Sequence, residues 1–482
     1  MKLQTFSRNL LRGGLAAAAS LLALSLMPAR SLAFDTGHHW DLTISALGDQ
    51  GFDNDAREIG GVSNWFVDYY VNTPTDIAGM KEPCERLHFD NLFDTDDITA
   101  YWLRLAANTR KQLLLAKASQ DPLKALEILG ASLHAVQDFY THSNWVEEQG
   151  GKTRNTASDG YLLNTWFDEE SAGRIAAKQY YTGSYPTMRN GAKELHGAYD
   201  AGLNHDSYCR PRWDQAYVFA YAASRQWIAA AESWLNAPAF WTQMKSYAAG
   251  GGRAGLDSDI RASWRVSEWV ATGPNDGHWK GKGSGRNAAF LAENLRWAGS
   301  DSTFVKKFKG NGDNAQAIPT LLAPDLGFSD GPKPQAPGAG DVAPVPPLAI
   351  TGSAIVLHTD QVNFGEKADL YPLVNIGGQE FVDAMREVNK SISISDERWT
   401  AIKFVPTGAV SVPIGYSLWK ETGIGADEVC DVNPQTGKQA AAVSVPVQAG
   451  PATAHNFSGK APDARPADVK FTVQVRSLKK NP

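Results

Sequence analysis

Between Pro122 and Val136 the residues Leu126, Leu129, Leu133 and Val136 recur at three- and four-residue spacing, the period of a helix with one core-facing stripe. Asp121 followed by Pro122 supplies a side-chain cap and a first-turn proline. A helix is therefore expected from there into the segment Leu133 to Glu148, LHAVQDFYTHSNWVEE. Helical spacing also predicts an early helix through Trp40, Leu42, Ile44 and Leu47, and helices over 55–71, 97–117, 172–181, 211–235, 240–249, 261–270 and 287–308. Later the period switches to two. Val412, Ile414, Tyr416 and Leu418 alternate with other residues, as do Val469, Phe471, Val473 and Val475, which predicts half-buried strands. Eight prolines from Pro319 to Pro347, mixed with Gly and Ala, predict a stiff linker between the two regimes.

The expected organisation is multidomain: an all-α domain over 34–310, a linker over 311–348, and an antiparallel β-sandwich over 349–482. Residues 1–33 read as a secretory signal peptide. Lys2, Arg8 and Arg12 precede the apolar run Leu15 to Met27, and Ser31-Leu32-Ala33 forms a small-residue cleavage site. Cleavage there leaves Phe34 first and predicts an exported protein, extracellular or periplasmic. A net charge of −6 over 482 residues, without a basic stripe, argues against nucleic acid as a partner. Of Cys84, Cys209 and Cys430, the pair Cys84–Cys209 is the preferred disulfide because both fall in the first region; connectivity stays open.

A second stripe on the central helix is polar. His134, Asp138 and His142 stand at successive i, i+4 positions and project from one side. A single such pair is often a hydrogen-bonded or solvated helix face. Three in register, of the residue types that bind zinc, point to metal. If the helix continues, the outer two lie roughly 12 Å apart, too far for one ion, so more than one is expected. Further candidates are His38 and His39, Asp76, His88, His196 with Asp200, and His205 with Asp206.

The order of an early His, an Asp, an isolated HxF and then LHxxxDFxxHSNW resembles the zinc-dependent phospholipase C and single-strand nuclease superfamily, most closely its Het-C-like branch. The resemblance covers roughly residues 34–235. It implies an all-helical domain holding two to three zinc ions, with Phe34, His39, Asp76, His88, His134, Asp138, His142, His196 and Asp200 as ligands. His39 is preferred over His38 because the wording around it fits the family, and His205 could replace one of the last pair. Asp76 is the expected catalytic carboxylate, placed to orient or deprotonate a zinc-bound water. Several features depart from the family pattern: Phe for the usual N-terminal Trp, a shorter spacing from Asp138 to His142, and HxxxD for HxxxE after a long insertion.

In the last region ADLYPLVNIGGQEF, Trp399, VPIGYSLWKE and DEVCDVNP resemble calcium-dependent lipid-binding sandwiches of the C-two type. That resemblance implies calcium ligands at Asp369, Asp427 and Asp431, residues that otherwise read as ordinary turn acids. A helical zinc domain followed by such a sandwich is the layout of clostridial-type phospholipase C toxins. The implied activity is a phospholipase C that cleaves a glycerophospholipid to diacylglycerol and a phosphorylated head group at a membrane surface. The alternatives are a nuclease or other phosphoesterase, and a non-catalytic Het-C-like membrane-interaction protein.

Overall fold

The computed structural model describes residues 36–72, 81–150, 160–185, 187–196, 203–206, 212–248, 318–324, 343–382, 386–393, 399–420, 428–435, 437–460 and 465–479. The signal segment, Phe34, Asp76, Asp200, Cys209, Asp427 and the helices expected over 261–270 and 287–308 lie outside them.

In chain order the first region contains α1 (Thr36–Gly48), α2 (Asn54–Asn72), α3 (Lys81–Arg86), α4 (Thr95–Ala118), α5 (Pro122–His142), α6 (Trp145–Gly150), β1 (Tyr161–Leu162), α7 (Trp166–Ser171), α8 (Trp213–Leu235) and α9 (Pro238–Lys245). The organising helix is α5. Asp121 caps it by accepting from the Lys124 amide, and every residue from Ala125 to His142 is buried. A helix covered on all sides must be central, and its neighbours pack against each face. At Gly130 the closeness is extreme: a Cβ there would meet the Gly60 carbonyl of α2 at 2.2 Å. On another face Trp227 of α8 donates to Ser132 at 2.9 Å. Phe139 packs edge-on against Phe89, Trp102 and Trp166. Such contacts fix the helix rotation, and so aim its polar stripe.

Two expectations for this region change. The central helix stops at His142, where Ser143 turns extended, and α6 restarts at Trp145. Residues 172–181 form only a short 3-10 turn, Ile175–Ala177, after Gly173 at φ +69°. The backbone amides beyond it donate elsewhere, Tyr180 to Thr95 Oγ1 and Tyr181 to Asn144 Oδ1, each at 2.9 Å. Tertiary hydrogen bonds replace the helical ladder that apolar spacing suggested.

After α10 (Ile318–Leu322) come β2 (Ser353–Ile376), β3 (Gln379–Val382), β4 (Arg386–Ser393), β5 (Thr400–Val405), β6 (Ser411–Lys420), β7 (Glu428–Cys430), β8 (Ala441–Pro446), β9 (Thr453–Ser458) and β10 (Ala467–Lys479). The 24-residue β2 is the spine. Its first half pairs with β10 and β5, its second half with β6 and β3. Ring stacking of Tyr416 on Phe471 at 5.1 Å brings the two halves onto one core. An all-antiparallel sheet was expected, but the sheet is mixed. Pairing among β2 to β10 is antiparallel, whereas β1, from the helical region, joins β10 in parallel.

Helices and sheet share a buried seam. Tyr221 of α8 stacks on Phe404 of β5 at 3.5 Å, and Arg476 of β10 lies over Tyr161 at 4.8 Å. Parts of the expected linker also pack. Ile318 and Leu322 are buried with the helical core, and Trp234 donates to the Pro344 carbonyl at 3.0 Å. No described helix is long and apolar enough to cross a membrane.

Candidate metal centre

The polar stripe of α5 faces a buried pocket. Asp138 stands at its middle, with Oδ1 3.0 Å from His39 Nε2 and Oδ2 3.1 Å from His134 Nε2. From α2, Asp68 Oδ1 reaches His88 Nε2 at 3.1 Å and His134 Nε2 at 3.8 Å. One turn further along α5, His142 Nε2 lies 3.1 Å from Asp206 Oδ1, and His196 Nε2 is 3.9 Å from Asp206 Oδ2. Among the described residues three groups offer ligand atoms within 4.8 Å of one another: His39, Asp68 and His134; His88, His134 and Asp138; Asp90, His142 and His196. Since the first two share His134, they form one pocket, and the third is a second.

What lies behind the imidazoles decides their chemistry. His39 Nδ1 meets Gln137 Oε1 at 2.6 Å, and His134 Nδ1 meets Asn64 Oδ1 at 2.9 Å. His88 Nδ1 meets the Cys84 carbonyl at 2.8 Å, and His142 Nδ1 the His88 carbonyl at 2.6 Å. All four partners are acceptors, so each Nδ1 carries the proton and the neutral ring presents a lone pair at Nε2. Those lone pairs point at carboxylate oxygens about 3 Å away, an arrangement that repels unless a cation or proton sits between them. Neither oxygen of Asp138 has a hydrogen bond of acceptable geometry, although the side chain is fully buried. Ligand atoms on a tetrahedral zinc at roughly 2.0–2.1 Å stand about 3.3 Å apart, close to the spacings seen here. Donor types, spacing and tautomers all fit zinc.

The electrostatics divide the set. Burial pulls His39 down to about 4, and burial with the neighbouring imidazoles holds His134 well below the usual range, so both are neutral. Burial holds the Asp138 carboxyl well above its usual range. His88 and His142 differ: burial opposes their protonation, but at His88 the hydrogen bond to Asp68 and the charge of Asp138 outweigh it and raise the pKa to about 9, and at His142 the charges of Asp90, Asp206 and Asp138 hold it well above the usual range. Without metal, a proton occupies the His88–Asp68 pair, and a metal would displace it.

Of the ligands expected from sequence, His39, His88, His134 and Asp138 meet in the first pocket and His142 and His196 in the second. His39, not His38, is at Asp138; His38 packs on Trp213, ring centroids 4.7 Å apart. His205 approaches Glu147 at 3.3 Å, while its neighbour Asp206 faces His142. The sequence reading missed Asp68 and Asp90 as pocket residues. Asn64 and Asp68 stand at i, i+4 on α2, the same signal that marked α5, and Asp90 follows His88 by two. In the sheet, Asp431 is buried with its carboxylate accepting from the Lys460 amide at 2.8 Å and the Asn433 amide at 2.9 Å. Asp369 pairs across from Glu387. Among the described residues neither joins a group spaced for a shared ion. Cys84 is buried in the helical core.

A family model described as the VWA7 N-terminal domain matches residues 70–162, the stretch that carries His88, Asp90, His134, Asp138 and His142. Proteins described as von Willebrand factor A domain-containing protein 7, from Rattus norvegicus and Homo sapiens, are each 43% identical over 65 residues. That is 14% of this chain, and the chain spans 7% of the length of these relatives. Among solved structures, Clostridium perfringens alpha-toxin from avian strain SWCP aligns over 87% of this chain and 100% of its own, at 10% identity and TM-score 0.17. A C2 domain aligns over 26% of this chain and 98% of its own, at 11% identity and TM-score 0.19.

Proposed function

We propose that the chain is an exported, zinc-dependent phosphodiester hydrolase. Its substrate on this proposal is a glycerophospholipid of the phosphatidylcholine type, cleaved on the glycerol side to diacylglycerol and a phosphorylated head group. The observation that most supports this is the set of four imidazoles, each tied off at Nδ1, whose Nε2 lone pairs converge on buried carboxylates. His39, Asp68, His88, His134 and Asp138 would hold zinc in the first pocket, and His142, His196 and Asp206 in the second; Phe34 and Asp200 complete the proposed set. Bound there, zinc would supply a water ionised near neutral pH and positive charge for the phosphate oxygens.

The chain's own groups have distinct work. Asn64, Gln137 and the carbonyls of Cys84 and His88 hold the ring orientations, which keeps the ligands neutral and pre-aligned. Asp138 lies between His39 and His134 and neutralises charge at the centre. Asp68, 3.1 Å from His88 Nε2, would orient the nucleophile and take its proton, the role also proposed for Asp76. The C-terminal region, as a lipid-binding β-sandwich, would hold the chain at a membrane surface, with calcium at Asp369, Asp427 and Asp431 as the finer part of the proposal.

A panel of phospholipids assayed with and without a zinc chelator, and with and without calcium, tests this directly. Chelator-sensitive release of phosphorylated head group is expected. Cleavage of single-stranded nucleic acid with no lipid turnover would replace the lipid with a nucleic acid. A second proposal is a binding protein that keeps the zinc without turnover; the match to a domain named for VWA7, not for a lipase, favours it. Stoichiometric zinc with every substrate inert would establish it.

A further inference from the structure

We infer that Asp90 is a ligand in the second pocket, which is built from Asp90, His142 and His196 with the Asp206 carboxylate beside it. The inference rests on the zinc proposal above and adds a residue that neither the sequence pattern nor the family resemblance supplied.

Asp90 is buried, with 5% of its surface exposed, and its Oδ1 has no hydrogen-bond partner of acceptable geometry. That oxygen lies 3.3 Å from His142 Nδ1, but the proton there is directed to the His88 carbonyl at 2.6 Å. A buried carboxylate oxygen left this way is costly unless something else compensates it. Asp90, His142 and His196 each offer a ligand atom within 4.8 Å of the other two, and Asp206 adds a carboxylate 3.1 Å from His142 Nε2.

The backbone is shaped to deliver this carboxylate. The residues on either side, Phe89 at φ 58° and Asn91 at φ 64°, are both left-handed, a conformation that an aromatic residue adopts at a cost. Burial of the Phe89 ring against Tyr101 at 4.0 Å and Phe139 at 5.1 Å offsets that cost. On the other side the Asn91 amide donates to the Gly183 carbonyl at 3.0 Å, and Asn91 Oδ1 accepts from the Tyr185 amide at 2.9 Å. The same short segment positions both histidines. Gly183 donates to the His142 carbonyl at 2.8 Å, and the His196 amide donates to the Ser184 carbonyl at 2.9 Å. A Cβ on Gly183 would meet His196 Cα at 2.4 Å, so the close approach requires glycine. Asp90, His142 and His196 thus hang from one clamp.

Zinc or cobalt(II) titration of the full chain tests the assignment without reference to activity. Wild type is expected to take up at least two equivalents. D90N should lose at least tenfold in affinity for one of them, whereas D96N, at an exposed acid on α4, should match wild type. Because D90N could fold poorly, D90C provides a positive signal: its cobalt(II) form should gain a thiolate-to-metal charge-transfer band absent from cobalt-loaded wild type. Unchanged affinity in D90N, or a cobalt(II) D90C spectrum without that band, would remove Asp90 from the site and leave the first pocket standing. A wild-type chain that takes up no metal would overturn the zinc proposal itself.

Discussion

Gln137 Oε1 accepts the Nδ1 proton of His39 at 2.6 Å, and the same oxygen accepts from Asn64 at 3.0 Å, whose own Oδ1 receives His134 Nδ1 at 2.9 Å. Two imidazoles of the first pocket are therefore set by one amide relay. Gln137 Nε2 completes it by donating to Thr43 at 3.1 Å and Ser224 at 3.2 Å. Removing this amide in Q137L should weaken zinc binding by roughly ten- to a hundredfold through loss of ring orientation. Competition with a chromophoric chelator measures it; wild-type affinity in the variant would show that the relay does not set the ligands.

Asp138 separates binding from fold. D138N keeps the shape but replaces one carboxylate oxygen with an amide nitrogen that has no lone pair to offer a metal, and removes the negative charge. Hydrolysis should be abolished and at least one zinc equivalent lost in elemental analysis, while far-ultraviolet circular dichroism stays near wild type. Undiminished turnover would take Asp138 out of the centre.

The Gly60–Gly130 contact can be tested by adding one carbon. G130A places a Cβ where the Gly60 carbonyl stands 2.2 Å away, so α2 and α5 must part. Overpacking of this kind costs about 1–3 kcal/mol, visible as a lowered melting temperature. Because α2 carries Asp68 and α5 carries His134, zinc affinity should fall with it. A variant that melts like wild type would mean the helices yield without strain.

Glu127 gives a pH dependence away from the metal. It is buried on α5, and burial followed by the charge of Asp121 raises its carboxyl from 4.5 to about 8. The folded chain then binds more protons than the unfolded one between those values. Stability attributable to this group falls as pH rises from about 4.5 towards 8. E127Q should flatten that slope and stabilise the protein at pH 8 by on the order of 1–3 kcal/mol. Denaturant unfolding at pH 5 and pH 8 compares the two; parallel curves would exclude the effect.

At the seam, Phe404 is stacked on Tyr221 and 2% exposed. F404A should cost about 3–5 kcal/mol, as for other buried aromatics cut to Ala, and should expose tryptophan and tyrosine to quenchers. A loss under about 1 kcal/mol would mean the two regions hold together without it.

Much of the helical region could be read from sequence because its signals are local. The cap Asp121-Pro122, the leucine spacing of α5 and the His134/Asp138/His142 stripe all sit within one element. Asp68 and Asp90 were harder. Their roles depend on the close approach of α2 to α5 at two glycines and on a left-handed backbone around Asp90, and neither leaves a periodic trace. Residues 172–181 failed for a related reason, since their amides bond to side chains far along the chain. The parallel β1–β10 pair was illegible too, because two residues are too short a strand to show alternation.

That last pair has a consequence for the order in which the molecule is made. Tyr161 lies opposite Leu478, more than 300 positions later, and Leu163 donates to the Lys479 carbonyl at 2.8 Å. During synthesis the helices that carry the metal residues leave the ribosome long before their strand partner exists. Until β5 emerges the Tyr217 and Tyr221 rings on α8 have no Phe404 to cover them, and until β10 follows the sheet lacks the strand that pairs with β1. Closure by so distant a contact is slow, which makes the interval before the last strand arrives the period of greatest exposure to aggregation and proteolysis.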